Sequence, residues 1–210
     1  MFKNTKDNKV IIQIIVYIVL VTVFLIENNI NLGGHIIYSK YDDLIPFVPA
    51  FIILYCAWYF YIGATSIFFW IKSKEDLRKT LLSINICMVV ALLVYFIYPN
   101  YITIRPSTYG SDIFSQAVKF LQNGDSPASV CPSLHVAVCV SLFTSIKESV
   151  CFKSNSKVKI VALILTILIS ISTLFIKQHS VIDVFFGALL GIGSYLFVYK
   201  RKACIKPKVH

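Results

Sequence analysis

Long, unbroken runs of apolar residues are the feature that most restricts what this chain can fold into. Apolar residues make up 57% of its 210 residues and charged residues only 14%, whereas about a quarter of the residues of a soluble domain are charged. A helix needs about 20 consecutive apolar residues to cross the hydrocarbon core of a bilayer. Several runs approach or reach that length, so we predict an all-α fold, a polytopic membrane helical bundle.

Six segments are predicted to cross the membrane as helices. They are residues 10–26, 45–71, 81–98, 133–146, 160–176 and 181–198. The fourth segment is the shortest, about 20 Å at 1.5 Å per residue, so we expect it to start slightly below the outer membrane surface. No small-x-small cleavage site follows the first segment, which we therefore interpret as an uncleaved anchor.

This pattern divides the chain into three parts. Residues 1–44 are predicted to form the anchor helix and an outer loop, residues 45–199 a core of helices 2 to 6, and residues 200–210 a basic cytoplasmic tail. No basic stretch is interleaved with aromatic residues, so we attribute the net charge of +10 to membrane orientation and predict no nucleic-acid partner.

The basic residues also predict the orientation of the helices. With six helices, 16 lysines and arginines fall on the side that holds both termini, and 4 fall on the other side. Cytoplasmic loops of membrane proteins carry the excess of these residues, so both termini are predicted to be cytoplasmic. The four basic residues on the outer side are Lys40, Arg105, Lys119 and Lys177.

Two histidines on the outer side are the strongest candidates for catalysis. His179 and Asp183 are four residues apart and would share a helix face, so the carboxylate could accept the Nδ1 proton and leave Nε2 as a nucleophile. Such a pair can also simply cap and pack a helix. Ionisable groups at the edge of a membrane segment are functional by default, which favours the catalytic interpretation.

The second histidine, His135, lies at the predicted start of the fourth helix. The serine of the sequence Pro132-Ser133-Leu134-His135 is typical of a helix N-cap, and a helix N-terminus attracts anions. We therefore predict that Ser133 and the amides of Leu134 and His135 bind phosphate oxygens, with His135 as general acid. A plain N-cap is the alternative explanation.

Two outer cations complete the predicted site. The planar guanidinium of Arg105 suits phosphate oxygens, and Lys177 is a second candidate, although it could equally extend to the membrane interface. No cluster of cysteine, histidine or carboxylate side chains with metal-ligand spacing is visible in the sequence, so neither a metal nor a cofactor is predicted.

These motifs resemble those of the type 2 phosphatidic acid phosphatase superfamily. Pro132-Ser133-Leu134-His135, His179-x3-Asp183 and Arg105-Pro106 stand in the order of that family's signatures, and residues 40–198 carry the resemblance. Tyr98 stands where a lysine is usual, Thr173 where an arginine is usual, and Leu134 where many members have glycine. These departures resemble the branch that contains inositol phosphorylceramide synthases.

The resemblance implies an integral-membrane lipid phosphatase that acts through a phosphohistidine on the non-cytoplasmic face, with a membrane lipid phosphate as substrate. Transfer of a headgroup to an acceptor alcohol is the alternative reaction, and a transporter or scaffold is the alternative of another class. The 42–47 stretch resembles bacterial members, which implies a bacterial plasma membrane. The specific lipid and the oligomeric state are left open.

Small residues predict how the two histidines come together. Ser133, Ala137, Ser141 and Ser145 form a stripe on the fourth segment, and Gly187 and Gly191 lie on one face of the sixth. Small residues allow membrane helices to approach closely. If these faces meet, both histidines lie at the outer end of one helix pair.

Overall fold

A computed structural model describes residues 5–30 and 34–200, so residues 201–210 of the predicted tail lie outside it. Seven α-helices form within the described residues. They are α1 (Thr5–Ile30), α2 (Ile52–Lys72), α3 (Lys74–Ile97), α4 (Ile113–Asn123), α5 (Leu134–Glu148), α6 (Ser156–Phe175) and α7 (Val181–Tyr195). Short 3₁₀ turns cover Pro49–Phe51 and Val150–Phe152, and a π turn covers Leu196–Lys200.

The prediction of an all-α membrane bundle is confirmed. Of the described helices, α1, α2, α3, α6 and α7 are long and apolar enough to cross a membrane, when the turns that extend α2 and α7 are included. The fourth predicted segment corresponds to α5, which has 15 residues and is therefore about 22 Å long. This helix occupies the middle of the bundle, where it packs against α2, α3, α6 and α7.

Several helix boundaries differ from the prediction for local reasons. α2 begins at Ile52, after the turn that Pro49 starts, because proline has no amide hydrogen for a helical bond. α3 begins at Lys74, seven residues earlier than predicted, because the Ser73 side chain accepts the Asp76 amide and caps it. This first turn is polar, so the length of the apolar run does not predict it.

The sequence interpretation missed α4, which lies in the connection between α3 and α5. Asp112 caps this helix by accepting the amides of Phe114 and Ser115, and its 11 residues are too few to cross a membrane. Two short strands precede it in the chain, and β1 (His35–Ile36) pairs in parallel with β2 (Asn100–Tyr101).

The contact between α5 and α7 brings their backbones close together, as the small residues predict. A Cβ atom on Gly187 would lie 2.5 Å from the Ser133 carbonyl oxygen, and one on Gly191 would lie 2.6 Å from the Val140 Cβ. The Ser133 amide donates to the Asp183 carbonyl at 3.1 Å. Any side chain larger than hydrogen at these glycines would therefore separate the two helices.

A pair of alanine substitutions on α7 tests this contact. Gly191→Ala should destabilise the protein by about 1–3 kcal/mol, the usual cost of overpacking, and should lower the midpoint of thermal unfolding in detergent. Gly193→Ala is the matched control, because a Cβ at Gly193 meets nothing within 4 Å. Equal midpoints for the two variants would contradict the close packing of α5 and α7.

Candidate functional site

A cavity of about 740 Å³ opens at the end of the bundle that was predicted to face outward. Its walls come from α1, α2, α3, α4, the start of α5 and the loops that follow α4 and α6. His135 and His179 both line it, so residues 44 positions apart in the sequence meet at one surface. This convergence agrees with the packing predicted for their two helices.

His179 lies beside Asp183, with 3.4 Å between Nδ1 and the carboxylate Oδ2. The contact was predicted, but the prediction that both residues lie on one helix was wrong. His179 precedes α7, and Ser180 is the N-cap of that helix. Ser180 and Asp183 form a capping box, in which the carboxylate accepts the Ser180 amide at 2.8 Å. Asp183 is fully buried, so the cap fixes the carboxylate that orients His179.

A second carboxylate, Asp42, holds the start of α7 from outside. Its Oδ2 accepts the Ser180 hydroxyl at 2.7 Å and its Oδ1 accepts the Val181 amide at 2.8 Å. It also accepts the Ser39 amide, and it is 2% exposed. Asp42 belongs to the stretch that carries the family resemblance, and its contacts give that stretch a structural role.

His135 is enclosed between two aromatic rings of α2. Its imidazole stacks on Tyr55 and Trp58, with ring centroids 4.2 and 4.5 Å away, and the Trp58 indole nitrogen donates to the His135 carbonyl at 3.1 Å. The Nε2 atom has no hydrogen-bond partner among the described residues. Because an unpaired buried polar atom is costly, Nε2 is poised to bond to a ligand.

The start of α5 is fixed by two buried residues, Tyr95 of α3 and Asn100 of β2. Asn100 accepts the amides of Val130 and Cys131 and donates to the Cys131 carbonyl, while the Tyr95 hydroxyl donates to the Pro132 carbonyl at 2.7 Å. These bonds hold the Pro132–His135 segment against α3. Neither residue was predicted to contribute to the site.

Ser133 and Leu134 have different positions at this helix start. Ser133 is the N-cap, as predicted: its hydroxyl accepts the Val136 amide at 3.3 Å, and the side chain is fully buried and does not line the cavity. Leu134 does line it. The amides of Leu134 and His135 belong to the first helical turn, which lacks internal acceptors for them.

The two predicted cations lie away from the cavity wall. Arg105 donates to the carbonyls of Gln122, Asp125 and Ser126 at 2.7–3.0 Å and so holds the loop that lines the cavity. Burial lowers the pKa of Arg105, and the Asp125 carboxylate opposes that shift. Its predicted contact with phosphate stays a prediction.

Lys177 has a left-handed backbone conformation with φ of 58°, and its ammonium group donates to the carbonyls of Asp42 and Ile45. Burial lowers the pKa of Lys177, while the carboxylates of Asp42 and Asp43 oppose the shift. The lysine therefore ties the loop before α2 to the turn before α7. Its predicted contact with phosphate also stays a prediction.

The polar residues that complete the cavity were not predicted. Asp125 accepts the Asn28 amide at 3.1 Å and a hydrogen bond from the Gln178 amide, which connects α1 to the site. The signal for Asn28 was weak, since an asparagine at the outer end of an apolar run is ordinary. Tyr55 and Trp58 lie in an apolar segment, where aromatic residues are common, so the sequence does not mark them as part of a site.

Residues 80–203, more than half of the chain, match the family model of the PAP2 superfamily. The chain belongs to the PAP2 superfamily. Its members are phosphatases or phosphotransferases, and the match includes both cavity histidines and Asp183. No curated protein and no solved structure matches the chain.

The match confirms the family that the sequence motifs predicted. It does not confirm the resemblance to the branch that contains inositol phosphorylceramide synthases. The matched region begins within α3. The cavity walls that α1 and α2 supply therefore lie outside the matched region. Tyr55 and Trp58, whose rings enclose His135, also lie outside it.

Replacing Asp42 tests how this PAP2 site is held together. Asp42→Ala leaves three donors without a buried acceptor, so it should cost about 2–5 kcal/mol and lower the unfolding midpoint in detergent. Asp43→Ala is the control, because this neighbouring carboxylate is exposed and contacts Tyr38. A smaller loss for Asp42→Ala than for Asp43→Ala would contradict the role of Asp42.

Proposed function

We propose that this PAP2 protein is an integral-membrane lipid phosphatase that forms a phosphohistidine at His179. The observation that supports it best is the shared cavity. In it His179 contacts Asp183, and the Nε2 of His135, in the first turn of α5, has no partner among the described residues. The two imidazoles have different surroundings, one beside a carboxylate and one between aromatic rings. Different surroundings suit different roles in one reaction.

In the proposed reaction, the Nε2 lone pair of His179 attacks phosphorus in line with the ester oxygen. The N–P bond forms as the P–O bond breaks, and the electron pair goes to the departing alkoxide, which takes a proton from His135. Water then attacks phosphorus and loses a proton to His135, which is now neutral. The new P–O bond forms as the N–P bond breaks, and the electron pair of that bond returns to Nε2 of His179. Free phosphate leaves, and both histidines return to their starting states.

Binding of the phosphate oxygens is assigned to the first turn of α5. The amides of Leu134 and His135 lie there, and the positive end of a helix dipole stabilises an anion. The Arg105 side chain is assigned a supporting position, because it holds the loop of Asp125 and Ser126 at the cavity wall. Ser133 caps the helix that supplies the amides.

Headgroup transfer to an acceptor alcohol is the second candidate, and the charge of the cavity favours it. The described residues that line the cavity include one carboxylate, Asp125, and no lysine or arginine. A phosphate diester carries one negative charge, whereas a monoester carries up to two near neutral pH. A cavity without cations suits the less charged ester, and an alcohol would then replace water in the second step.

The proposed location is the outer face of a bacterial plasma membrane, with both termini in the cytoplasm. This orientation follows from the unequal distribution of lysine and arginine between the two ends of the bundle. The cavity lies at the end that is poor in these residues.

The nucleophile is tested by His179→Ala. Because this change removes the attacking atom, turnover of a lipid phosphate in detergent should fall by at least about a thousandfold. The unfolding midpoint should change little, since His179 contributes no cap to α7. Residual activity above a few per cent in a stable variant would assign the attack to another residue.

The role of His135 is tested by changing the leaving group. A lipid alkoxide needs a proton, whereas p-nitrophenolate leaves without one, and protonation is worth about 10²–10⁴-fold where it is needed. His135→Ala should lose that much kcat on a lipid phosphate and retain most kcat on p-nitrophenyl phosphate. An equal loss at saturation on both substrates would exclude His135 as the leaving-group acid.

The orientation is tested with single cysteines in a background that lacks the native ones. A cysteine at the exposed Ser107 should react with a membrane-impermeant thiol reagent on intact cells. One at the exposed Ser154, at the other end of the bundle, should react only after lysis. The reverse pattern would place the site in the cytoplasm.

A further inference from the structure

The cavity continues below the histidines as an apolar slot between α1 and α2. On α1, its wall is formed by residues spaced at helical intervals on one face, and aromatic residues face it from α2. The α1 residues are Tyr17, Val21, Phe24, Leu25 and Asn28, and the α2 residues are Tyr55, Trp58 and Tyr59. α1 packs mainly against α3, and α2 packs against α3, α5 and α6, so the slot separates the first two helices.

The rim of this slot reaches the side of the bundle that faces lipid. Three of the residues that line it have large, exposed apolar side chains: Leu25 is 54% exposed, Tyr59 58% and Phe120 84%. In a membrane bundle such surfaces face lipid chains. The slot therefore connects the bilayer interior with the cavity that holds His135 and His179.

The depth of the slot corresponds to one leaflet of a bilayer. Asn28 lies at its outer end and Tyr17 eleven residues further in along α1, which is about 16 Å at 1.5 Å per residue. Half of a hydrocarbon core is about 15 Å. Met88 of α3, seven residues inward of Tyr95, also lines the cavity and is buried, so it and Tyr17 form the inner end.

We propose that one hydrocarbon chain of the substrate lipid occupies the slot between α1 and α2, and that Tyr17 and Met88 limit the length of chain that fits. The proposal rests on the proposed function, because the phosphate of the same molecule must reach His179. In this proposal the substrate enters the slot laterally from one leaflet of the bilayer, and the length of its hydrocarbon chain determines whether it fits. Tyr17 acts as a specificity-determining residue on a helix that the family match does not include.

A series of single-chain alkyl phosphates tests this selection. Each added methylene should raise kcat/KM roughly fourfold, the value of burying one such group, until the chain fills the slot, and longer chains should bring no gain. Tyr17→Ala removes the end of the slot and should shift the plateau to longer chains. Ile18→Ala is the matched control, because Ile18 is 57% exposed on α1 and does not line the cavity.

Two results would overturn the chain-length role of Tyr17. One is the same plateau in the wild-type protein and Tyr17→Ala. The other is an equal shift in Ile18→Ala. A misfolded Tyr17→Ala protein is recognised by loss of p-nitrophenyl phosphate hydrolysis. Tyr17→Trp then gives the test in the opposite direction, with a plateau at shorter chains.

Photolabelling separates this proposal from the proposed chemistry. An alkyl phosphate with a diazirine at the chain end should label peptides that contain Tyr17 or Met88 in His179→Ala, which binds without needing to react. Labelling at these sites supports the slot even where the nucleophile proves to be another residue. Labelling only at lipid-facing residues such as Ile18 would overturn it.

Discussion

The close approach of α5 and α7 determines where the two cavity histidines lie. Gly187 and Gly191 let the backbone of α7 reach the carbonyls of α5, and the Ser133 amide then bonds to the Asp183 carbonyl. Both helices start at the same end of the bundle, so His135 in the first turn of one lies near His179, just before the other. A side chain at either glycine would move one histidine relative to the other.

The end of the bundle that holds the cavity is fixed by polar contacts among buried and half-buried residues. Asp42 and Lys177 tie the loop before α2 to the turn before α7, and Asn100 fixes the start of α5. Buried hydrogen bonds of this kind are costly to leave incomplete. These contacts fix the positions of the histidines in the folded protein before a ligand binds, as expected for a preorganised site.

Much of the fold and the central part of the site are readable from the sequence because they depend on local patterns. The apolar segments predict the membrane helices, Ser133 predicts the start of α5, and the spacing of His179 and Asp183 predicts their contact. The short helix α4 has no long apolar run, so length alone could not reveal it. Its cap, Asp112, was the available signal.

The surroundings of the histidines depend on contacts between distant residues, which no local pattern specifies. Arg105 bonds to carbonyls about 20 residues away, and Lys177 to carbonyls more than 130 residues away. The sequence around Arg105 and Lys177 therefore does not show whether each side chain binds a backbone carbonyl or a phosphate. The aromatic enclosure of His135 likewise needs α2 and α5 to be placed side by side.

Trapping the intermediate tests most directly whether His179 carries the phosphoryl group between the two proposed steps. A lipid phosphate labelled at phosphorus would be mixed with the detergent-solubilised protein and quenched in alkali within one turnover, since phosphohistidine survives alkali. Peptide mapping should locate the label on His179, and His179→Ala should retain none. Label on His135 or on another residue, or burst-free turnover with no adduct, would contradict the account.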